Sequence, residues 1–113
     1  MVNYAELNNH QINKCVARLL GVEWVAVAQD GLILDGESAS VDYCLNPSDA
    51  WPIIVSNGIC LTSPELDNKS NRWHACWTPN GGSSLRGLIA FSDENPLRAA
   101  MVCFLKLMDA QNA

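Results

Sequence analysis

Three side chains in the sequence are of the types that bind metals or act as nucleophiles. His74 and Cys76 lie two positions apart in a predicted strand, and Cys60 lies in another predicted strand. Residues two apart on a strand share a face, so the three could share a metal ion. Zinc sites need four tetrahedral ligands, and the sequence offers no second pair. His74 and Cys76 would also run parallel and not converge as a catalytic dyad. We therefore predict a half-buried strand face without a metal.

Two further patterns resemble catalytic or phosphate-binding motifs, and both are better explained as turns. Asp30 and Asp35 are each followed by glycine, which is ordinary turn chemistry. The run Gly-Gly-Ser-Ser at 81–84 lacks the Gly-Lys-Ser/Thr ending of a phosphate loop and leads into a strand. We predict no catalytic residue, no cofactor and no enzymatic activity.

Charge is distributed unevenly along the chain, whose formal net charge is −5. Residues 1–68 hold nine acidic and two basic side chains, whereas residues 69–113 hold three acidic and five basic ones. No Lys, Arg or His occurs from Leu19 through Asn68. Such a stretch repels nucleic acid phosphates and attracts basic protein surfaces. It forms either a recognition surface or a purely solubilising one.

Length and composition indicate one globular domain, residues 1–113. Hydrophobic residues make up 49% of the chain and charged residues 17%, a balance typical of folded proteins. The five cysteines are an odd number without a Cys-x-x-Cys pair, which favours reduced thiols. The longest apolar run, 99–105, is too short to span a membrane, and the first residues do not resemble a secretory signal. We expect a cytoplasmic protein.

The elements that position these side chains follow from caps, periodicity and turn residues. Asn8 and Gln11 form a predicted capping box, and Gly21 is the predicted helix end. Pro52 predicts a kink in the second helix. The predicted helices cover 9–20, 47–57 and 96–109, and the predicted extended segments cover a hairpin at 22–34 and the ranges 41–45, 59–62, 72–77 and 85–91.

Two Asn-Pro pairs mark helix starts, at Asn46 and at Asn95. Asn caps the first amides of a helix, and proline fits the first helical position. We predict an α+β fold in which an antiparallel β-sheet of about four to five strands is packed by N-terminal, central and C-terminal helices. The last helix is apolar on all sides from 99 to 105, which predicts burial and leaves a homodimer open.

Three segments resemble a known family. They are the run 46–55, the triplet Trp73-His74-Ala75, and the run 95–101 with the apolar helix that follows it. In these segments the chain is similar to the NinX-like family of small tailed-phage proteins. The resemblance covers most of the chain, and residues 22–45 match least. It implies a phage or prophage accessory protein, and it implies no catalytic residue.

The leading hypothesis is a non-enzymatic phage accessory protein that binds a host or phage protein through an acidic surface. Its candidate residues are Asp30, Asp35, Glu37 and Asp42. Clustered carboxylates would compete for Lys and Arg side chains that otherwise meet phosphates. The expected partner therefore has a basic surface, and could belong to a host defence or nucleic-acid-handling complex.

Two alternatives remain open at this point. From Asn46 onward the predicted order is helix, three strands, helix, as in a double-stranded RNA binding domain, which needs clustered Lys at the start of its last helix. That start carries Asp93 and Glu94, and Arg98 is its only basic residue. A nucleic-acid-binding module using the basic-biased second half is the second hypothesis, and a small enzyme of unrecognised type is the third.

Overall fold

Three helices and six strands make up the computed structural model, which describes residues 3–28, 31–34, 40–64, 71–79 and 87–111. A short 3-10 helix, Tyr4–Glu6, comes before the first α-helix. The helices are α1 (Asn9–Leu20), α2 (Pro47–Asn57) and α3 (Pro96–Gln111). The strands are β1 (Trp24–Ala28), β2 (Gly31–Leu34), β3 (Ser40–Val41), β4 (Cys60–Thr62), β5 (Trp73–Trp77) and β6 (Ile89–Asp93). The α+β class is confirmed, and the predicted loop at 81–84 lies outside the described residues.

The strands form two separate antiparallel sheets, in the orders β1-β2-β3 and β4-β5-β6. The prediction of a single sheet of four to five strands is therefore wrong for the described part of the chain. Each strand pairs only with its neighbour in sequence. Helix α2 lies between β3 and β4 in the chain, so each sheet is built from one run of local pairings.

The helix boundaries follow the predicted caps. The Asn8 side chain accepts a bond from the Gln11 amide at 2.9 Å, and the Gln11 side chain accepts one from the Asn8 amide at 2.8 Å, which confirms the capping box. The Asn46 side chain accepts from the amide of Ser48 at 3.0 Å. The helix that follows continues past Pro52 to Asn57, and the expected kink stays a prediction.

The core forms around α3, as its sequence predicts. This helix contacts α1, α2 and all three strands of the second sheet. Its buried residues lie on most of its faces: Ala99, Ala100, Met101, Val102, Cys103, Phe104, Leu105 and Leu107. Because the monomer itself surrounds this helix, its apolar character is accounted for without a second copy.

The second sheet has one inner and one outer face. Ala75 is fully buried and Trp77 packs against the core, whereas His74 is exposed. This confirms the predicted alternation along β5. Among the described residues, no helix is long and apolar enough to cross a membrane.

Candidate protein-binding surface

The thiol and imidazole groups first considered for chemistry lie on the outer face of the second sheet. Cys60 pairs with Cys76 across β4 and β5, and His74 pairs with Thr62 and Ser92. The His74 Nδ1 atom is 2.6 Å from the Ser92 hydroxyl oxygen. In the described part of the chain, no three His, Cys, Asp or Glu side chains are grouped to hold a metal ion.

A polar cluster joins the N-terminal ends of the three helices in the interior. We call it the cap junction, and it consists of Asn13, Asp42, Cys44, Asn95 and Arg98. The Asn95 side-chain oxygen accepts from the amides that open α3, and its Nδ2 donates to the Cys44 carbonyl at 2.7 Å. One of the two predicted caps thus also ties the segment before α2 to the start of α3.

The Arg98 side chain connects this junction to the start of α1. Its guanidinium donates to the Asn9 side-chain oxygen at 3.0 Å and to the carbonyl of Leu7, and its Nε lies 3.3 Å from an Asp93 carboxylate oxygen. Its side chain is only 12% exposed. The single basic residue at the start of α3 is therefore used inside the protein, which leaves it poorly placed to contact phosphates.

Asp42 belongs to the interior and not to an acidic surface. It is 7% exposed. One carboxylate oxygen accepts from Asn13 Nδ2 and the Cys44 amide, both at 3.1 Å, and from the Leu45 amide at 3.2 Å. The turn before α2 has backbone donors that need a buried acceptor, and Asp42 supplies it. We therefore remove Asp42 from the candidate surface.

The remaining three candidate acids lie outside the described residues. In chain order, Asp30 comes between β1 and β2, and Asp35 and Glu37 come between β2 and β3. The feature that could have separated Asp42 from them is its position directly before Tyr43 and Cys44, two residues that are buried.

Strand β1 presents apolar side chains to solvent. It is an edge strand of the first sheet, and none of its five residues is charged. Val25 is 62% exposed, Val27 43% and Trp24 36%. Edge strands in monomeric proteins are usually protected by charged residues or proline. An uncharged apolar edge is therefore a candidate contact surface. The sequence predicted the strand but not its exposure.

A groove runs beside this edge, between α1 and the start of β1. Its volume is about 490 Å³, and its lining includes Lys14, Arg18, Glu23 and Trp24. The Lys14 ammonium lies 5.1 Å from the centroid of the Trp24 ring, a cation–π distance. The two basic residues of the first 68 positions therefore both line this groove, which carries charges of both signs.

The buried thiols of Cys44 and Cys103 are poor nucleophiles at neutral pH. Burial raises the pKa of Cys44 to about 12, and the neighbouring Asp42 carboxylate adds to the increase. Burial also raises the pKa of Cys103 to about 12. The thiolate is the nucleophilic form of cysteine, so at neutral pH both side chains act as small buried apolar groups.

Comparison with known proteins gives matches of two kinds. A crystal structure of a phage protein from Bacillus cereus ATCC 14579 is similar to this chain with a TM-score of 0.60, at 19% sequence identity, over 93% of this chain and 96% of that one. At this identity the likeness concerns the fold. A family model described as "Bacteriophage P22, NinX" matches residues 3–108. No curated protein matches the chain.

Proposed function

The chain belongs to the phage P22 NinX family, and on that premise we propose that it is an accessory protein that binds another protein and does not act as an enzyme. One observation carries the proposal. Strand β1 is an uncharged edge strand whose valines are 43% and 62% exposed. Among the described strands β1 pairs only with β2, and such an edge offers both backbone groups and apolar side chains to a partner.

We further propose that acidic residues contribute to this binding. Asp30, Asp35 and Glu37 come between the strands of the first sheet in chain order, and Glu23 at the groove is exposed. Carboxylates would favour a partner with a basic surface and would steer its approach. We infer a host or phage partner of the host cytoplasm, and a host defence or nucleic-acid-handling complex is the specific version of that inference.

The arrangement of basic residues supports protein binding over the nucleic-acid alternative. The Arg98 guanidinium is bonded to Asn9, Leu7 and Asp93. Lys14 and Arg18 share their groove with Glu23. A gel-shift titration with double-stranded RNA across salt concentrations separates the two hypotheses, because phosphate binding must weaken as salt rises. Salt-sensitive binding would favour the alternative.

The central experiment is a quantitative pull-down from host lysate with matched variants. The test variant combines Asp35→Lys with Glu37→Lys. The control combines Glu6→Lys with Glu94→Lys, two exposed acids outside the first sheet that change the net charge equally. The protein partner retained by the wild type should be lost with the test variant and kept with the control.

A second arm tests the strand itself. Val25→Lys places a charge on β1, and Val55→Lys places one on α2, where the valine is 60% exposed and so closely matches the 62% of Val25. We expect loss of the partner with Val25→Lys only. A partner list unaffected by both the acidic and the strand variants, or the absence of any partner, would contradict the proposed function.

A further inference from the structure

Two free cysteines face each other on the outer side of the second sheet. Antiparallel pairing of β4 with β5 places Cys60 directly opposite Cys76. Cys60 is exposed and Cys76 is half-buried. Burial raises the pKa of the Cys76 thiol, and the neighbouring Cys60 side chain raises it further. The strand register thus places the two thiols next to each other on one face of the sheet.

This register comes close to the requirements of a disulfide. Directly opposite residues of an antiparallel pair have Cα atoms about 4.5 to 5.5 Å apart. Disulfides form across Cα separations of about 4.4 to 6.8 Å. Opposite Cβ atoms lie about 4.5 to 5.5 Å apart, whereas a disulfide needs about 3.5 to 4.5 Å. A bond between Cys60 and Cys76 would therefore need rotation of the side chains and a small approach of the two strands.

The other cysteines lack this arrangement. Cys44 and Cys103 are fully buried, and burial raises the pKa of each to about 12. Cys15 lines the groove beside β1, in another part of the molecule. Only Cys60 combines exposure to solvent with a thiol partner among the described residues.

We propose that Cys60 and Cys76 form a reversible modification site, a dithiol that exchanges with a small disulfide such as oxidised glutathione and closes into a cross-strand disulfide. The site is independent of the proposed protein-binding surface. Its product links β4, which follows α2 in the chain, covalently to the centre of the second sheet.

The exchange balances as two substitutions at sulfur. The Cys60 thiolate attacks one sulfur of oxidised glutathione, the glutathione S–S bond breaks, and one glutathione thiolate leaves. The Cys76 thiolate then attacks the Cys60 sulfur of this mixed disulfide, and the second glutathione leaves. The two protons lost by the protein are taken up by the two glutathione thiolates. Oxidised glutathione is thus reduced as the protein dithiol is oxidised.

The test is a redox titration of the full chain. Reduced protein is equilibrated in glutathione buffers of increasing oxidised fraction and quenched with acid. The remaining thiols are then alkylated with a maleimide reagent and counted by intact mass. We expect the wild type and the control Cys15→Ser to lose two thiols in one step without retaining glutathione. We expect Cys60→Ser and Cys76→Ser to form no bridge.

Mass spectrometry of the digested wild type identifies the joined cysteines directly, so the test does not depend on the folding of any variant. A Cys60–Cys76 link supports the proposal. Accumulation of a glutathione adduct that does not close, a bridge to a different cysteine, or full retention of both thiols in oxidising buffer would overturn it.

Discussion

The cap junction and strand β1 reverse the usual distribution of polar and apolar groups in a protein. The junction places polar side chains inside, where Asn13 is fully buried and Asp42 is 7% exposed. Strand β1 places Val25 outside at 62% exposure. Polar groups are normally at the surface and valines in the core. Each region is therefore an exception that needs a physical reason.

The reasons differ. In the cap junction the polar groups have partners, because Asp42, Asn13 and Asn95 together satisfy backbone groups before α2 and at the start of α3. A buried polar group with partners stabilises a fold, and one without them costs free energy. The exposed valines of β1 bury little surface and so contribute little to the stability of the fold. The difference separates a region that maintains the structure from a region that we propose is used for binding.

The largest expected effect is on the cap junction, through Asp42→Ala. This change leaves the Asn13 amide and the amides of Cys44 and Leu45 without their acceptor. We expect the free energy of unfolding to fall by about 3 to 5 kcal/mol, as measured by urea denaturation. The variant Asp42→Asn, which keeps an acceptor oxygen, should lose less. A loss below about 1 kcal/mol for Asp42→Ala would show that the junction does not support the fold.

A smaller effect is expected inside the first sheet, through Gly31→Ala. Gly31 has φ of +130°, and a Cβ atom there would lie 2.1 Å from the Val41 carbonyl oxygen. Backbone strain and the forced separation of β2 from β3 should together cost about 2 to 3 kcal/mol. Chemical denaturation followed by circular dichroism measures this. An unchanged stability would mean that β2 and β3 can separate at Gly31 without cost. The contrast between the first sheet and the junction would then be weaker.

The buried Cys44 thiol of the junction should make the free energy of unfolding depend on pH, with an effect of about 2 kcal/mol. The folded pKa of Cys44 is about 12 against an ordinary 9.0. Because the raised value lies in the folded state, the stabilisation is complete below pH 9.0 and is lost as the pH rises toward 12. The slope is at most about 1.4 kcal/mol per pH unit for this thiol.

The measurement is urea unfolding at about pH 8 and about pH 10.5 under reducing conditions. The wild type should lose more stability between these two pH values than Cys44→Ala does, by about 2 kcal/mol. Equal losses in the two proteins would mean that Cys44 ionises as easily in the folded state as in the unfolded one, and so is not held in a dry interior.

The helix boundaries could be predicted because their causes are local. The capping box at Asn8 and the cap at Asn46 satisfy amides within three residues of themselves. The division into two sheets and the burial of Asp42 depend on contacts made across the fold. Asp42 meets Asn13, 29 positions away, and the pair Tyr43-Cys44 that follows it in the sequence does not identify this partner.

The candidate surface could not be predicted from the sequence for the same reason. Charge alone selected Asp30, Asp35, Glu37 and Asp42, of which one is interior and three lie outside the described residues. The Val- and Trp-rich composition of β1 predicted a strand, yet an edge strand and a central strand of the same composition cannot be distinguished from the sequence. Pairing order in the sheet is what distinguishes them.

The smallest stability effect is expected on β1, and it is the sharpest test of the contrast. Val25→Lys removes an exposed apolar side chain and adds a charge at a sheet edge, where lysine is well tolerated. The free energy of unfolding should change by less than about 0.5 kcal/mol, as for the control Val55→Lys on α2. Urea denaturation of both variants measures this beside their partner binding. A protein that keeps its stability and loses its partner has an edge strand whose side chains serve recognition. A loss above about 2 kcal/mol for Val25→Lys would instead make β1 part of the structural framework, and its exposure would then carry no functional meaning.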